Sequence, residues 1–443
     1  MRTIVAQGRD ALLLNLFIPF SDKVMGTCIS DRLRQIKRMH AWSPEQVAKW
    51  QNECLRSFVE HAYQHTVYYR NLFDNNNISP KDIQCAEDLN RIPIIDKYIV
   101  NEHYDELVPD NLSCFRHRKG RTGGTTGQPM NYLCDEDTWG YVTAAKIYYW
   151  RTTGYSYGDA FVALGSSSLF GRKPSLVRRI YDCVRNEHPL NSVDMNDEKC
   201  ARYASYIRRH HIRYLYGYAA SLYIFTKYVS EHNIDLKQVK AVFTTSENLP
   251  DNYRSLIEET FQCKVMDCYG ARDAGITAYE TERHRYEVGY NVIAEVTDLI
   301  GVNTGTLLST NFFNYSFPLL RYSFGDVAEL EPNICPDEYN GQIIRRVIGR
   351  TSDVITLENG HSLSATGISM LMREFDVAAF DIKKTALMEV TLRVQPREGF
   401  TGEEEEKLKE ELSRYVGGDC KVVVSRVAGF ESLPNGKHRY FYT

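Results

Sequence analysis

The chain lacks an apolar run near the roughly 20 residues that a helix needs to cross a bilayer. The one candidate, ALLLNLFIPF at 11–20, is too short, contains Asn15 and Pro19, and is followed by no small-residue cleavage pattern. It reads as a helix packed on the body, with a weak membrane-surface contact at 11–20 as the alternative. The eleven cysteines form no CxxC pair, and an odd count suits free thiols better than a closed disulfide framework, which points to a reducing cytoplasm. His210, His211, His284, His361 and His438 show neither HExxH nor CxxC-HxxxH spacing, so no zinc motif is present. No GxSxG elbow offers a nucleophilic serine. Positive charge is not in excess either: the net charge is -4, which gives no general attraction to nucleic acid. The basic stretch RYASYIRRHHIR at 202–213 reads as a surface helix, and no nucleic-acid partner is expected.

What is present is the composition of a globular protein, with 443 residues, 43% hydrophobic and 25% charged, enough for a large buried core. From 43 to about 75 the chain reads as one helix: Trp50, Cys54, Phe58 and Ala62 recur at spacing four, and Ser43-Pro44-Glu45-Gln46 supplies a cap with proline in the first turn. Short apolar or β-branched segments at 161–165, 214–216, 240–244 and 264–268 alternate with helical stretches such as 199–210 and 251–260, the pattern of α/β units. After Arg350 the character changes to strand, helix, strand at 387–394, 403–415 and 421–427, about ninety residues, enough for a small lid. The acidic cluster Glu403 to Glu406 suits the N-terminal turn of that helix. The expected fold is therefore α/β: a large N-terminal domain, 1–348, with β-sheets flanked by helices, and a small α+β C-terminal lid, 349–443.

The most informative local feature is RTGGTTGQPM at 121–130, with three glycines and two threonines bounded by a proline. Such a loop can present backbone N–H groups and hydroxyls to phosphate oxygens, yet it is neither a Walker A loop nor a dinucleotide fingerprint. Alone it is as well read as a tight connection. Further on stand TTSENLP at 244–250, CYGARDAG at 268–275, RYSFGD at 321–326, GRTSD at 349–353 and SLPNGKHR at 432–439. In this order the motifs resemble the adenylate-forming superfamily, most closely its phenylacetate-CoA-ligase-like branch, which includes the CapK-like proteins of surface-polysaccharide clusters. The resemblance spans essentially the whole chain, including HAYQHTVYYRNLF at 61–73 and DLNRIPIIDK at 88–97.

That resemblance implies an enzyme that uses ATP to activate a carboxylic acid as its acyl-adenylate and passes the acyl group on. It implies that Thr125, Thr126 and Gly127 hold the ATP phosphates, that Tyr269 lies against adenine, and that Asp326 takes both ribose hydroxyls. It implies that Arg350 stands near ribose and phosphate at the start of the hinge, that Asp273 holds Mg2+, and that Lys437 is the catalytic lysine of the lid. Three positions depart from the family pattern: Gln128 stands where lysine is usual, Asp273 where glutamate is usual, and Ser352 where aspartate or lysine is usual. Aspartate remains a hard oxygen ligand suited to Mg2+. A long lysine ammonium such as Lys437 could bridge carboxylate and α-phosphate while neutralising developing charge. The acyl substrate is expected against Tyr216, Gly217, Tyr218 and Ser246.

Two acceptors stay open. One is an amine, giving an amide during capsule or lipopolysaccharide synthesis from a small-molecule or sugar-linked carboxylate. The other is coenzyme A, giving a thioester with an aryl or acyl acid. A different class of reading also stays open, in which Gln128, Asp273 and Ser352 mark a nucleotide-binding scaffold that has lost its chemistry.

Overall fold

The computed structural model describes residues 8–122, 130–165, 183–192, 195–282, 284–332, 339–350, 354–357, 362–364, 371–372, 375–416, 419–429 and 441–442. Helices open the chain: α1 (Ile18–Met25), α2 (Ile29–Met39), α3 (Pro44–His65) and α4 (Val67–Asn75). The helix expected over 43–75 is thus two. Ser43 and Gln46 form a reciprocal capping box at the start of α3, with Pro44 in the first turn. At Thr66 the backbone turns extended (φ -119, ψ 140). Its hydroxyl donates to the Ala62 carbonyl at 2.7 Å and accepts from the Tyr69 amide at 3.2 Å, so one threonine ends the first helix and caps the second. Among the described residues no helix is long and apolar enough to cross a membrane.

The next long helix, α5 (Glu136–Thr152), leads into the main sheet. Its parallel strands are β1 (Phe161–Gly165), β2 (Glu187–Asn191), β3 (Tyr214–Tyr218), β4 (Ala241–Thr245) and β5 (Lys264–Ala271). Helices α6 (Asp197–Arg209), α7 (Ala219–Glu231) and α8 (Asp251–Phe261) fill the connections. The sheet then turns antiparallel through β6 (Ile276–Glu282), β7 (Arg285–Val288), β8 (Val292–Gly301), β9 (Thr304–Asn311), β10 (Tyr322–Leu330) and β11 (Ile343–Arg350). The order is β8-β9-β10-β11-β7-β6-β5-β4-β3-β1-β2, with the short strand Ile95–Asp96 alongside β10.

The inner parallel strands, such as β1 and β4, read as apolar runs because both faces are covered, whereas the edge strand β2, EHPLN, is polar and only partly buried. Phe161, Ala163, Tyr214, Ala241 and Phe243 point to one core, which takes in Tyr141 and Trp150 of α5. Val162, Leu164, Leu215, Val242 and Val265 point to the other, against Ala204, Leu222, Phe225, Ile257 and Phe261 of α6, α7 and α8. Trp150 stacks on Phe243 with ring centroids 4.0 Å apart.

Polar groups lock the centre of this sheet. Asp267 of β5 is buried, and burial raises its carboxyl above the ordinary range. It accepts from the hydroxyls of Thr244 (β4) and Tyr286 (β7). Next to it Arg254 of α8 pairs with Glu280 of β6, with side chains 4% and 2% exposed.

A second sheet follows, in the order β14-β13-β12-β15: β12 (Val377–Ala386), β13 (Glu389–Pro396), β14 (Lys421–Arg426) and β15 (Phe441–Tyr442). The strand expected over 387–394 is the second arm of a hairpin, whose turn carries Leu387, 64% exposed. Helix α9 (Gly402–Val416) lays Leu408, Leu412 and Val416 on this sheet against Ile382, Val390 and Leu392, an apolar cluster separate from the main core.

Two measurements test these locks. Arg254→Met leaves Glu280 as an unpaired buried charge and should cost about 3–5 kcal/mol in urea unfolding. Asp135, 4% exposed at the N-terminus of α5, is pushed up from the ordinary 3.8 to about 6, by burial against the opposing hydrogen bonds of Ser316. A raised folded pKa means that its stabilising contribution is fully present below pH 3.8 and is lost as pH rises through about 6. Asp135→Asn should remove that slope, of order 3 kcal/mol, from a urea-midpoint series run between about pH 4 and pH 7.

Candidate active site

In an open α/β sheet the loops that leave the carboxyl ends of parallel strands gather on one edge, and ligands bind there. Here β3 ends in YGYAAS, β4 runs into TTSENLP and β5 into YGARDAG. Strand β10 crosses the same region. Tyr269, half-buried near the end of β5, donates its hydroxyl to Asp326 Oδ2 of β10 at 2.8 Å. Asp326 in turn stands opposite Arg350 in the β10–β11 register. Three residues from distant parts of the chain therefore meet: Tyr269, Asp326 and the backbone of Arg350.

Four residues before Asp326 on β10, across the irregularity at Gly325 (φ +87), Tyr322 donates to Asp273 Oδ2 at 2.9 Å. Burial first, then the charge of Asp273, holds this hydroxyl protonated far above the ordinary tyrosine range, so it serves as a donor. The same hydroxyl lies 3.3 Å from Met130 Sδ. Met130 closes the neck of the Gly/Thr loop: Thr122 N donates to the Met130 carbonyl at 2.9 Å, and Met130 N donates to the Thr122 hydroxyl at 2.8 Å. The strands His117–Arg121 and Asn131–Asp135 pair on either side. The loop thus begins and ends beside Asp273. Thr125, Thr126 and Gly127, like Gln128, Ser352 and Lys437, lie outside the described residues.

The residues expected around the acyl group fall into two kinds. Tyr216 presents a ring face, with the Lys146 ammonium 3.7 Å from its centroid and 4.4 Å from that of Trp150. Burial first, then the charge near Cys268, raises its hydroxyl well above the ordinary range. Gly217 is buried in the sheet, and a Cβ there would stand 2.3 Å from the Leu164 carbonyl oxygen. The close approach of β1 therefore already requires glycine at this position. Tyr218 is half-buried at the N-terminus of α7. Ser246 is exposed in a left-handed conformation, φ +66. Its neighbour Glu247 accepts from Ala220 N at 2.9 Å, and Asn248 Nδ2 donates to the Ile348 carbonyl at 3.3 Å. The loop after β4 is thereby tied both to the start of α7 and to β11.

Sequence reasoning missed Tyr322, Lys146 and Trp150. Tyr322 carried a usable signal, being in the same motif, RYSFGD, as Asp326. Lys146 and Trp150 belong to a helix with no motif of its own. Among the described residues no three His, Cys, Asp or Glu side chains cluster as a metal site.

No protein-family model matches the chain. It is 25% identical over 400 residues to Protein CapK of Staphylococcus aureus, covering 88% of each chain. It is 23% identical over 373 residues to a phenylacetate-coenzyme A ligase of Pseudomonas putida, covering 79% of each. Among solved structures it is similar to 2-hydroxyisobutyryl-CoA ligase in the postadenylation state with R3-HIB-AMP, with a TM-score of 0.66 and 18% identity, over 92% of this chain and 91% of that one.

The contact at Gly217 gives a direct check of what that residue does. Gly217→Ala should lower stability by roughly 1–3 kcal/mol in denaturant unfolding, the cost of forcing a methyl against backbone in a packed sheet. A pure contact with substrate would leave the midpoint unchanged.

Proposed function

Because this chain is a member of the adenylate-forming superfamily, we propose that it is an AMP-forming ligase that passes an activated acyl group to an amine in surface-polysaccharide synthesis. The observation that carries the nucleotide site is the pair of tyrosine–carboxylate contacts on one strand, Tyr269–Asp326 and Tyr322–Asp273, with the neck of the Gly/Thr loop against the second. In this reading Tyr269 lies against adenine and Asp326 accepts from the ribose hydroxyls. Thr125, Thr126 and Gly127 hold the phosphates, with Arg350 near them.

Asp273 offers a half-buried hard oxygen oriented by Tyr322, which suits Mg2+ shared between one carboxylate and the phosphates. When bound, the ion would neutralise phosphate charge. The acid's carboxylate oxygen forms the new bond to the α-phosphorus as the bond to pyrophosphate breaks. Lys437 would hold carboxylate and α-phosphate together. The acceptor then attacks the acyl carbon, AMP leaves, and the acceptor's proton goes to solvent.

The domains divide near Gly349, whose φ of +143 is one that glycine tolerates, and the lid 349–443 rotates there between steps. Tyr216, Tyr218 and Ser246 line the acid's side, and the Lys146 cation beside Tyr216 supports acids with a second polar or anionic group. The amine acceptor is supported by the similarity to CapK and coenzyme A by that to the phenylacetate ligase. The free thiols among the described residues suit a reducing cytoplasm.

The test is pyrophosphate release from Mg-ATP over a panel of uronic, aryl, amino and dicarboxylic acids, with hydroxylamine to trap the adenylate. Release should depend on one acid. Lys437→Ala should lower it by about 10²–10³-fold, and Asp326→Asn should raise the KM for ATP about tenfold with a smaller effect on kcat. Replacing hydroxylamine by amines or coenzyme A then names the acceptor. A rise in Tm with ATP but no release under any acid would overturn the ligase in favour of the scaffold.

A further inference from the structure

The N-terminal helical run, 8–25 with a π turn at Leu13–Phe17, is fastened to the body by its carboxylates. Asp10 accepts from Arg151 Nη2 and from Tyr157 N, both at 2.7 Å. At the other end Asp22 accepts from Ile29 N at 3.1 Å and from Ser30 N at 2.8 Å. Leu14 and Ile18 are buried between these anchors. With that face fixed, the opposite one is fixed too, and it is apolar: Leu12, Leu16, Phe20 and Val24 follow at spacing four and are 56%, 66%, 66% and 65% exposed. Such a contiguous apolar stripe on a folded surface marks an interaction site.

We propose that this face rests on the surface of an anionic lipid bilayer. The stripe runs over 13 residues, Leu12 to Val24, about 18 Å of helix, too short to cross a bilayer and suited to lying in its interface. Both carboxylates of the run are turned inward, whereas Arg9 and Lys23 are exposed; Arg9 also reaches Asp159 at 2.5 Å. The adjoining helix α2 adds exposed Arg34, Lys37 and Arg38, alongside exposed Asp31, which pairs with Arg34. The charge flanking the stripe is therefore predominantly positive, as attraction to acidic headgroups requires. A second copy of the chain fits less well. Four side chains bury on the order of 400 Å2, about half of the roughly 800 Å2 per partner in a stable protein interface.

Co-sedimentation of the full chain with vesicles of phosphatidylglycerol and phosphatidylcholine tests this. The protein should pellet with these vesicles and bind pure phosphatidylcholine several-fold more weakly. The double change Leu16→Ser, Phe20→Ser should cut partitioning by at least about tenfold, and Lys23→Glu by several-fold. These side chains face solvent, so unfolding midpoints should match the parent. The control pair Leu299→Ser, Val302→Ser, at the exposed tip of the β8–β9 hairpin, should bind as the parent does. The proposal fails if the parent ignores both vesicles, if the helix variants bind undiminished, or if the hairpin variant is the one that loses binding. It also fails if sedimentation velocity without lipid finds a dimer that Leu16→Ser, Phe20→Ser dissociates, which would assign the face to a second copy.

Discussion

The carboxyl edge of the main sheet is set by one buried acid. Asp267 stands opposite Thr244 in the parallel register and takes its hydroxyl, while Tyr286 reaches it from β7. A buried carboxyl without such partners would be costly, and with them it discriminates strongly between registers, since a slip of one residue would strand it in apolar surroundings. Two residues beyond Thr244 lies Ser246, and two beyond Asp267 lies Tyr269. The relative placement of the two loops is thus inherited from a hydrogen bond inside the sheet. Arg254 and Glu280 extend the lock to α8, which precedes β5, and to β6, which follows the YGARDAG turn.

The second constraint is the spacing along β10. Tyr322 and Asp326 lie four residues apart on one strand, whose pairing with β9 shifts between them. Each fixes a different partner from the segment 269–273, at the end of β5 and in the turn after it, Asp273 and Tyr269 respectively. One rigid strand therefore holds both ends of that segment, and the neck at Thr122 and Met130 brings the Gly/Thr loop to the Asp273 end. The polarity of a nucleotide, base and ribose at one end and phosphates at the other, matches this order of groups.

Much of this was legible in the chain because it rests on local chemistry. The inner parallel strands announce themselves as short apolar runs, and their two-sided burial explains why no alternation appears in them, whereas the polar edge strand β2 gave no such signal. Helix α9 is visible from its acidic first turn and four-residue apolar spacing. What was not legible depends on contacts far apart in sequence. The break at Thr66 looked like helix because its neighbours keep the apolar period, and only the hydroxyl's two bonds separate α3 from α4. Strand β12 escaped because a charged residue, Asp381, interrupts its apolar run, fully buried between Phe380 and Ile382 and paired with Arg393. Lys146 and Trp150 gave no sign of their place, since nothing in a helical stretch tells which turn will meet Tyr216 some seventy residues later. Gly217 shows the reverse problem: within a suggestive motif, the approach of the Leu164 carbonyl is a sufficient reason for glycine.

Helix α5 joins these parts. Its N-terminus is held by Asp135 against Ser316, its Tyr141 hydroxyl accepts from the backbone amide of Tyr290, and its Trp150 stacks on Phe243 beside Tyr216. The next residue, Arg151, leaves the core in the other direction to anchor Asp10 of the N-terminal helix. Consecutive residues on one helix thus touch Phe243 and Tyr216 on one side and the base of the exposed apolar stripe on the other. Association of the N-terminal helix with a surface would therefore fix the orientation of Tyr216 and the carboxyl edge of the main sheet relative to that surface.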